Sequence, residues 1–302
     1  TYNGSNPYTA PATLGCIAWV ELGMGGYAIE GGMSRLVDAL VEVAQGLGVQ
    51  LNYSAPVDRI VVQSKTVRGM MVQGSRRNCD ALVVNADVAH LFQDLWPSAP
   101  SRLQPGGEPS TSGFNAIIKA RPLPTPRAPH MVLFPKTYKN EFRDLFDRKT
   151  APEEPTVYMC AQSTCNGRPG WDDAEPLFVM INAPADPTPM PEYWSDMEQK
   201  IRDRLLQANL LLEGDEVLWR RTPRGLAERF VGSRGSLYGA ASHGPRSAFT
   251  RPANRVPGIQ GLYLASGSAH PGGGMPLATQ SGHLAAQALQ EDLQPKRRRF
   301  TA

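Results

Sequence analysis

Cysteine is scarce and scattered. Of 302 residues only Cys16, Cys79, Cys160 and Cys165 are cysteines, and no CxxC pair occurs among them. This excludes a zinc ribbon or a disulfide framework and leaves a reducing compartment as the expectation. Histidine is equally thin, with His90, His130, His243, His270 and His283 in no HExxH-type spacing, so no metal site is expected. No apolar run approaches the roughly 20 residues that a membrane-crossing helix needs, and no stretch reads as a secretory leader. Charge of one sign is missing too. A net charge of +3, dispersed along the chain, lacks the footprint of a nucleic-acid-binding protein. The single basic run, PKRRRF at 295–300, reads as a solvated end. No period of twenty to fifty residues recurs, which excludes a solenoid.

Glycine and proline, in contrast, are plentiful at 29 and 27 residues, and they punctuate the chain. A helix is expected from Ser34, its N-cap, with Leu36, Leu40, Val43 and Leu47 at helical spacing and Gly48 as the stop. The runs VQLNYS, PVDRIVVQ, KTVRGMMVQ and NCDALVVNAD read as strands, forming an α/β domain with an inserted β-meander. From Trp96 onward prolines crowd the chain. There FNAIIKA, HMVLF, TVYMCA and LFVMINA read as strands of a second, largely antiparallel sheet. A long helix follows at about 192–212, with Trp194, Met197, Ile201, Leu205, Ala208 and Leu212 on one face. The division expected is a segment of a substrate domain at 1–30, part of a nucleotide-binding domain at 31–95, the substrate domain at 96–225, and the C-terminal part of the nucleotide-binding domain at 226–302.

Two glycine clusters compete as cofactor loops. GMGGYA at 23–28 can be written as G-x-G-x-x-A, but a dinucleotide fingerprint needs a strand before it and a helix starting inside it. The helix here starts only near Ser34, so the cluster reads as a turn. The second cluster is richer. GLYLASG is an apolar strand ending in small residues, HPGGGMP follows with Gly272, Gly273 and Gly274, and Pro276 is well placed to open a helix. Free amides at such a helix start attract negative charge. Ala278, Gly282, Ala285 and Ala286 give that helix a small-residue stripe suited to close packing.

The segment GLYLASGSAHPGGGMPLATQSGHLAA resembles the C-terminal flavin motif of the bacterial and fungal phytoene desaturase family, within the wider amine-oxidase-like flavoproteins. In matching order, GGYAIEGGMSRLVDALVEVAQGLGVQLNYSAPVDRI, ALVVNAD, TPRGLAERF…GSLYG and FTRPANRVPGIQGLYL resemble other stretches of that family. The opening YNGSNPYTAPAT is most like its hydroxycarotenoid 3,4-desaturase branch. The family's opening strand and G-x-G-x-x-G loop have no counterpart here, so the chain is expected to be truncated at its N-terminus.

The resemblance implies an α/β fold in which a partial FAD/NAD(P)-binding domain, Rossmann-like and of amine-oxidase type, is interleaved with a mainly antiparallel α+β substrate domain. It implies FAD as cofactor and an acyclic carotenoid, an apolar polyene, as substrate. It further implies action at a membrane surface, on its cytoplasmic inner face. By position it places Gly267, Gly272, Gly273, Gly274, Met275 and Pro276 near the flavin ring, with His270 as a candidate to polarise the ring or take the substrate proton. Val57 matches the position whose backbone meets adenine, and Asn85 and Ala86 match the strand end near the cofactor. Other readings are a carotenoid isomerase or polyene saturase of the same superfamily, and a non-catalytic escort protein that binds prenyl lipids. Arg251 reads as a phosphate or acid ligand or, more simply, as half of a surface ion pair.

Overall fold

The computed structural model describes residues 4, 6–10, 12–104, 106, 108–163, 171–186, 188, 190–241 and 251–294. Cys165, His243 and the basic tail lie outside the described residues. The chain divides into two units. One comprises Thr1–Ala10, Ser54–Ser110 and Ala227–Ala302; the other comprises Pro11–Tyr53 and Thr111–Leu226. The mixed α/β architecture expected from the sequence is present, with its parallel strands in the first unit and its antiparallel sheet in the second.

The second unit is built on a five-stranded sheet in the order β6-β7-β8-β5-β9. Its strands are β5 (Ser112–Ala120), β6 (His130–Leu133), β7 (Val157–Ala161), β8 (Glu175–Ala183) and β9 (Glu216–Arg221). Alternation decides their faces. Val157, Met159 and Ala161 of β7 are buried while Tyr158 and Cys160 between them are only half-buried, as a period of two requires. The buried face packs into one cluster with Trp194, Met197, Ile201 and Leu205 from a helix at Pro191–Gln207. Each such side chain contributes about 1.5–3 kcal/mol by leaving water. Phe114 stacks on Trp194, ring centroids 5.5 Å apart. This helix stops earlier than the 212 expected, because Asn209 turns left-handed (φ 56°) and Leu210 and Leu211 fold back in a turn. Strand β9 was not anticipated; its alternation is masked by Arg220 and Arg221 at its end.

The same unit contains the helix Ser34–Gly46, labelled α1; the helix Pro191–Gln207 is α2. Met33 takes the N-cap position in place of Ser34, which is the first helical residue, and no side chain caps the start. None of the residues of α1 is buried. Upstream, Ala12–Gly15, Cys16–Trp19 and Val20–Met24 form short helical turns that the sequence reading did not include.

In the first unit β1 (Val57–Gln63) and β2 (Thr66–Val72) are the expected antiparallel strands, and β3 (Ser75–Asn78), which was not among the strands expected, completes the meander. VQLNYS, expected as a strand, is irregular. A strand needs a neighbour for its backbone groups, and among the described residues none lies along it. β4 (Leu82–Val84) and β10 (Leu262–Leu264) pair in parallel, with Leu82, Val83 and Val84 opposite Leu262, Tyr263 and Leu264. The last long helix, α3, runs from Met275 to Leu293.

Candidate functional site

The site grows from the carboxyl ends of two parallel strands. Leu262, Tyr263 and Leu264 are buried on both faces, which is why β10 reads as an unbroken apolar run. Past the strand ends the side chains take over. Asn85 Nδ2 donates to the carbonyl of Ala265 and so staples the end of β4 to the end of β10. Ala265 N donates to Val84 O at 2.9 Å. Val88 N donates to Ser268 Oγ at 2.9 Å, and Ala86 packs on the apolar cluster beneath. The expected strand-end residue Asn85 is therefore tied to Ala265, two residues before Gly267. Val57 stays in the meander, opposite Val72.

The glycine turn divides by function. A side chain at Gly272 would press on Arg251, 3.2 Å from its Nε, and one at Gly273 would meet Tyr238 at 2.9 Å. Packing requires glycine at 273, whereas at 272 the close guanidinium adds to a backbone at φ 146° that itself favours glycine. At Gly274 the reason is the backbone, which adopts φ 93°, while nothing stands within 4 Å of where a side chain would begin. α3 starts immediately after it, with no side-chain cap. Met275 is 61% exposed and Pro276 is exposed beside it. The first-turn amides thus keep open the anion-binding capacity of a helix start. His270 is exposed; its backbone N–H donates to Pro252 O at 2.9 Å, and its carbonyl accepts from Asn254 Nδ2 at 2.9 Å.

Arg251 is not half of a surface ion pair. Its guanidinium donates to the carbonyls of Tyr238 and Gly267, both at 3.1 Å, and of Ala240 at 3.3 Å. Burial pushes the Arg251 guanidinium down from its ordinary value and the Tyr238 phenol up. Asn254, Tyr238, Ser268 and Ser281 were all missed in the sequence. The only available signal was TRPANR itself, two arginines and an asparagine with no acid among them, just before an apolar strand.

A cleft of about 580 Å³ opens at the same strand ends, its walls including Asp87, Val88, Arg102, Arg234, Arg251 and Ser268. That volume lies within the usual range for small-molecule pockets, and crevices at the carboxyl ends of parallel strands are where open α/β sheets bind ligands. The cleft shares Arg251 and Ser268 with the turn, but its walls do not include Gly272–Pro276. Among the described residues no group of histidine, cysteine or acidic side chains could hold a metal ion.

Residues 3–125 match the family model of flavin containing amine oxidoreductases. The chain is 36% identical to a hydroxyneurosporene desaturase of Rubrivivax gelatinosus, over 97% of this chain and 57% of that protein. It is 32% identical to a 1-hydroxycarotenoid 3,4-desaturase of a Flavobacterium species, over 96% of this chain and 60% of that protein. Among solved structures, an oxidoreductase from Methanosarcina mazei superposes with a TM-score of 0.52 at 18% identity, covering 87% of this chain and 55% of the other. This last likeness concerns the fold alone. The chain spans 57% and 60% of the length of these two curated relatives. The resemblance to carotenoid desaturases read from the sequence holds over nearly the whole chain.

Proposed function

We propose that this chain is part of an FAD-dependent oxidoreductase that desaturates an acyclic carotenoid, working at the inner surface of a membrane. The observation that carries the reading is the bare start of α3, set behind an intact glycine turn in a chain similar throughout to carotenoid desaturases. FAD would supply hydride acceptance. Gly267, Gly274, Met275 and Pro276 would hold the edge of its ring, and Asn85 and Ala86 would lie at the adjoining strand end. The residues fit such a group, because Gly274 offers a left-handed backbone with open space above it, followed by an uncapped helix. A partly buried helix start can favour negative charge by up to about 2 kcal/mol. Applied to the ring of a two-electron carrier, that raises its potential by roughly 40 mV. Val57 would meet the adenine with its backbone, and His270, exposed beside the turn, would polarise the ring or receive the substrate proton.

The outer face of the five-stranded sheet supports an apolar substrate. Across it run Cys160, Phe178, Ile117 and Trp219, in register from β7 to β9, with Tyr158 and Met180 in the next row. At about 4.8 Å between strands this floor suits a long flat polyene. No helix among the described residues is long and apolar enough to cross a membrane. Exposed Trp19, Leu22 and Tyr27 instead offer side chains suited to a lipid interface.

Expression of the full-length gene in cells that accumulate an acyclic hydroxycarotenoid tests the reading. The pigment is expected to lose two hydrogens per step and to absorb further to the red. Unchanged pigment overturns the proposal. Unchanged mass with altered geometry indicates an isomerase, a gain of hydrogens indicates a saturase, and purified protein that holds lipid without flavin indicates an escort protein.

A further inference from the structure

The short segment Arg251–Arg255, sequence RPANR, sends two side chains, Arg251 and Asn254, to the turn and a third, Arg255, to the far end of α3. Arg251 grips Gly267 O and packs closely on Gly272, its Nε 3.2 Å from where a side chain would begin. Arg255 grips the far end of α3, donating to Ala288 O at 3.1 Å, Glu291 at 3.1 Å and Asp292 at 2.9 Å. Asn254 sits between them, buried. Its Nδ2 lies within hydrogen-bond distance of Leu264 O (2.9 Å), His270 O (2.9 Å), Ser281 Oγ (3.0 Å) and Ser281 O (3.3 Å).

Those acceptors belong to three different pieces: the end of β10, the glycine turn, and the second turn of α3. Ser281, fully buried, passes the connection on by accepting from Ser266 N at 3.2 Å. A single amide group therefore sets the strand end, the turn and the helix against one another. The first turn of α3, which has no side-chain cap, is thereby tied to the strand and the glycine turn through a residue one turn further along the helix.

We infer that Asn254 is the positioning residue of the α3 start, fixing where its free amides point. The inference rests on the reading of that start as a flavin site and adds the residue that aims it. Arg255 holds the opposite end of a helix of nineteen residues, about 20–26 Å away along the axis, and has no part in the aim.

The test uses the full-length protein. Asn254→Asp keeps the shape but replaces a two-hydrogen donor that faces four oxygens with a buried acceptor. FAD affinity is expected to fall by about tenfold or more, with a changed flavin absorption band. Amide exchange over 266–278 in the flavin-free protein is expected to quicken by a similar factor. Arg255→Ala should lower Tm yet leave affinity and exchange within about twofold. Should Asn254→Asp not fold, Asn254→Ser, which keeps a shorter donor, is read for the same direction of change. Wild-type affinity and exchange in the Asn254 variants overturn the inference, as does an equal effect from Arg255→Ala. If the wild-type protein itself takes up no flavin, the functional reading fails, and the exchange experiment alone decides the role of Asn254.

Discussion

Helices α1 and α2 carry the same kind of sequence signal and end in opposite situations. On α2, Trp194, Met197, Ile201 and Leu205 are buried against the five-stranded sheet. On α1, Leu36, Val37, Leu40 and Val43 line one face and all stay exposed, Leu40 at 59%. An apolar stripe specifies a helix and its inner side, but it carries no information about what that side will meet. A row of exposed apolar residues this long is a contact surface in waiting. Helix α3 lies between the two cases. Ser281, Ala285 and Ala288 are buried at helical spacing, whereas its first turn is bare.

The sharpest way to break this contrast is to cut the same side chain from both helices. Leu205→Ala, at a fully buried site, is expected to cost about 2–5 kcal/mol in urea unfolding. Leu40→Ala should cost less than about 0.5 kcal/mol in this chain. In a chain extended to the length of the relatives, the cost of Leu40→Ala is expected to rise into the buried range. A small cost in both chains would mean that α1 has no partner at all.

A smaller effect separates the glycine turn from the helix that follows it. Gly273→Ala drives a side chain against Tyr238 and is expected to cost about 1–3 kcal/mol. Gly282→Ala, on α3 with nothing within 4 Å, should raise stability by up to about 1 kcal/mol through helix propensity. Thermal melts of the two variants moving in the same direction would contradict this division.

The last effect concerns the packed side of α3, is absent at neutral pH and appears only in alkali. Burial, and then its hydrogen bond to Asp292, push the phenol of Tyr263 up from 10.0 to about 12. The folded state thus keeps a proton that the unfolded chain has lost. The stability this contributes is complete below pH about 10 and disappears as pH rises from about 10 to about 12. Tyr263→Phe should flatten that decline in unfolding measured across the window. An unchanged slope would assign it to other groups.

Much of the fold was legible locally. The meander, the strands FNAIIKA, TVYMCA and LFVMINA, the apolar stripe of α2 and the strand–turn–helix at 261–290 each follow from periodicity and turn chemistry within a dozen residues. The misses share one cause. VQLNYS has strand composition but no neighbour to pair with among the described residues. Ala278 and Gly282 belong to a small-residue stripe in the sequence, yet the face that packs is Ser281, Ala285 and Ala288. Arg251 looked like a surface charge because nothing nearby in sequence predicts three carbonyls waiting for it.

The sequence by itself determined most of the strands and helices, the strand–turn–helix at 261–290, and which family of flavoproteins the chain resembles. All of these are encoded by residues close together along the chain. Only the tertiary structure decided that Asn254 would face Leu264, His270 and Ser281, that α3 would begin uncapped, and that α1 would remain uncovered. Hydrogen-bond partners and buried faces depend on which distant segments arrive at the same place, and no local pattern records that.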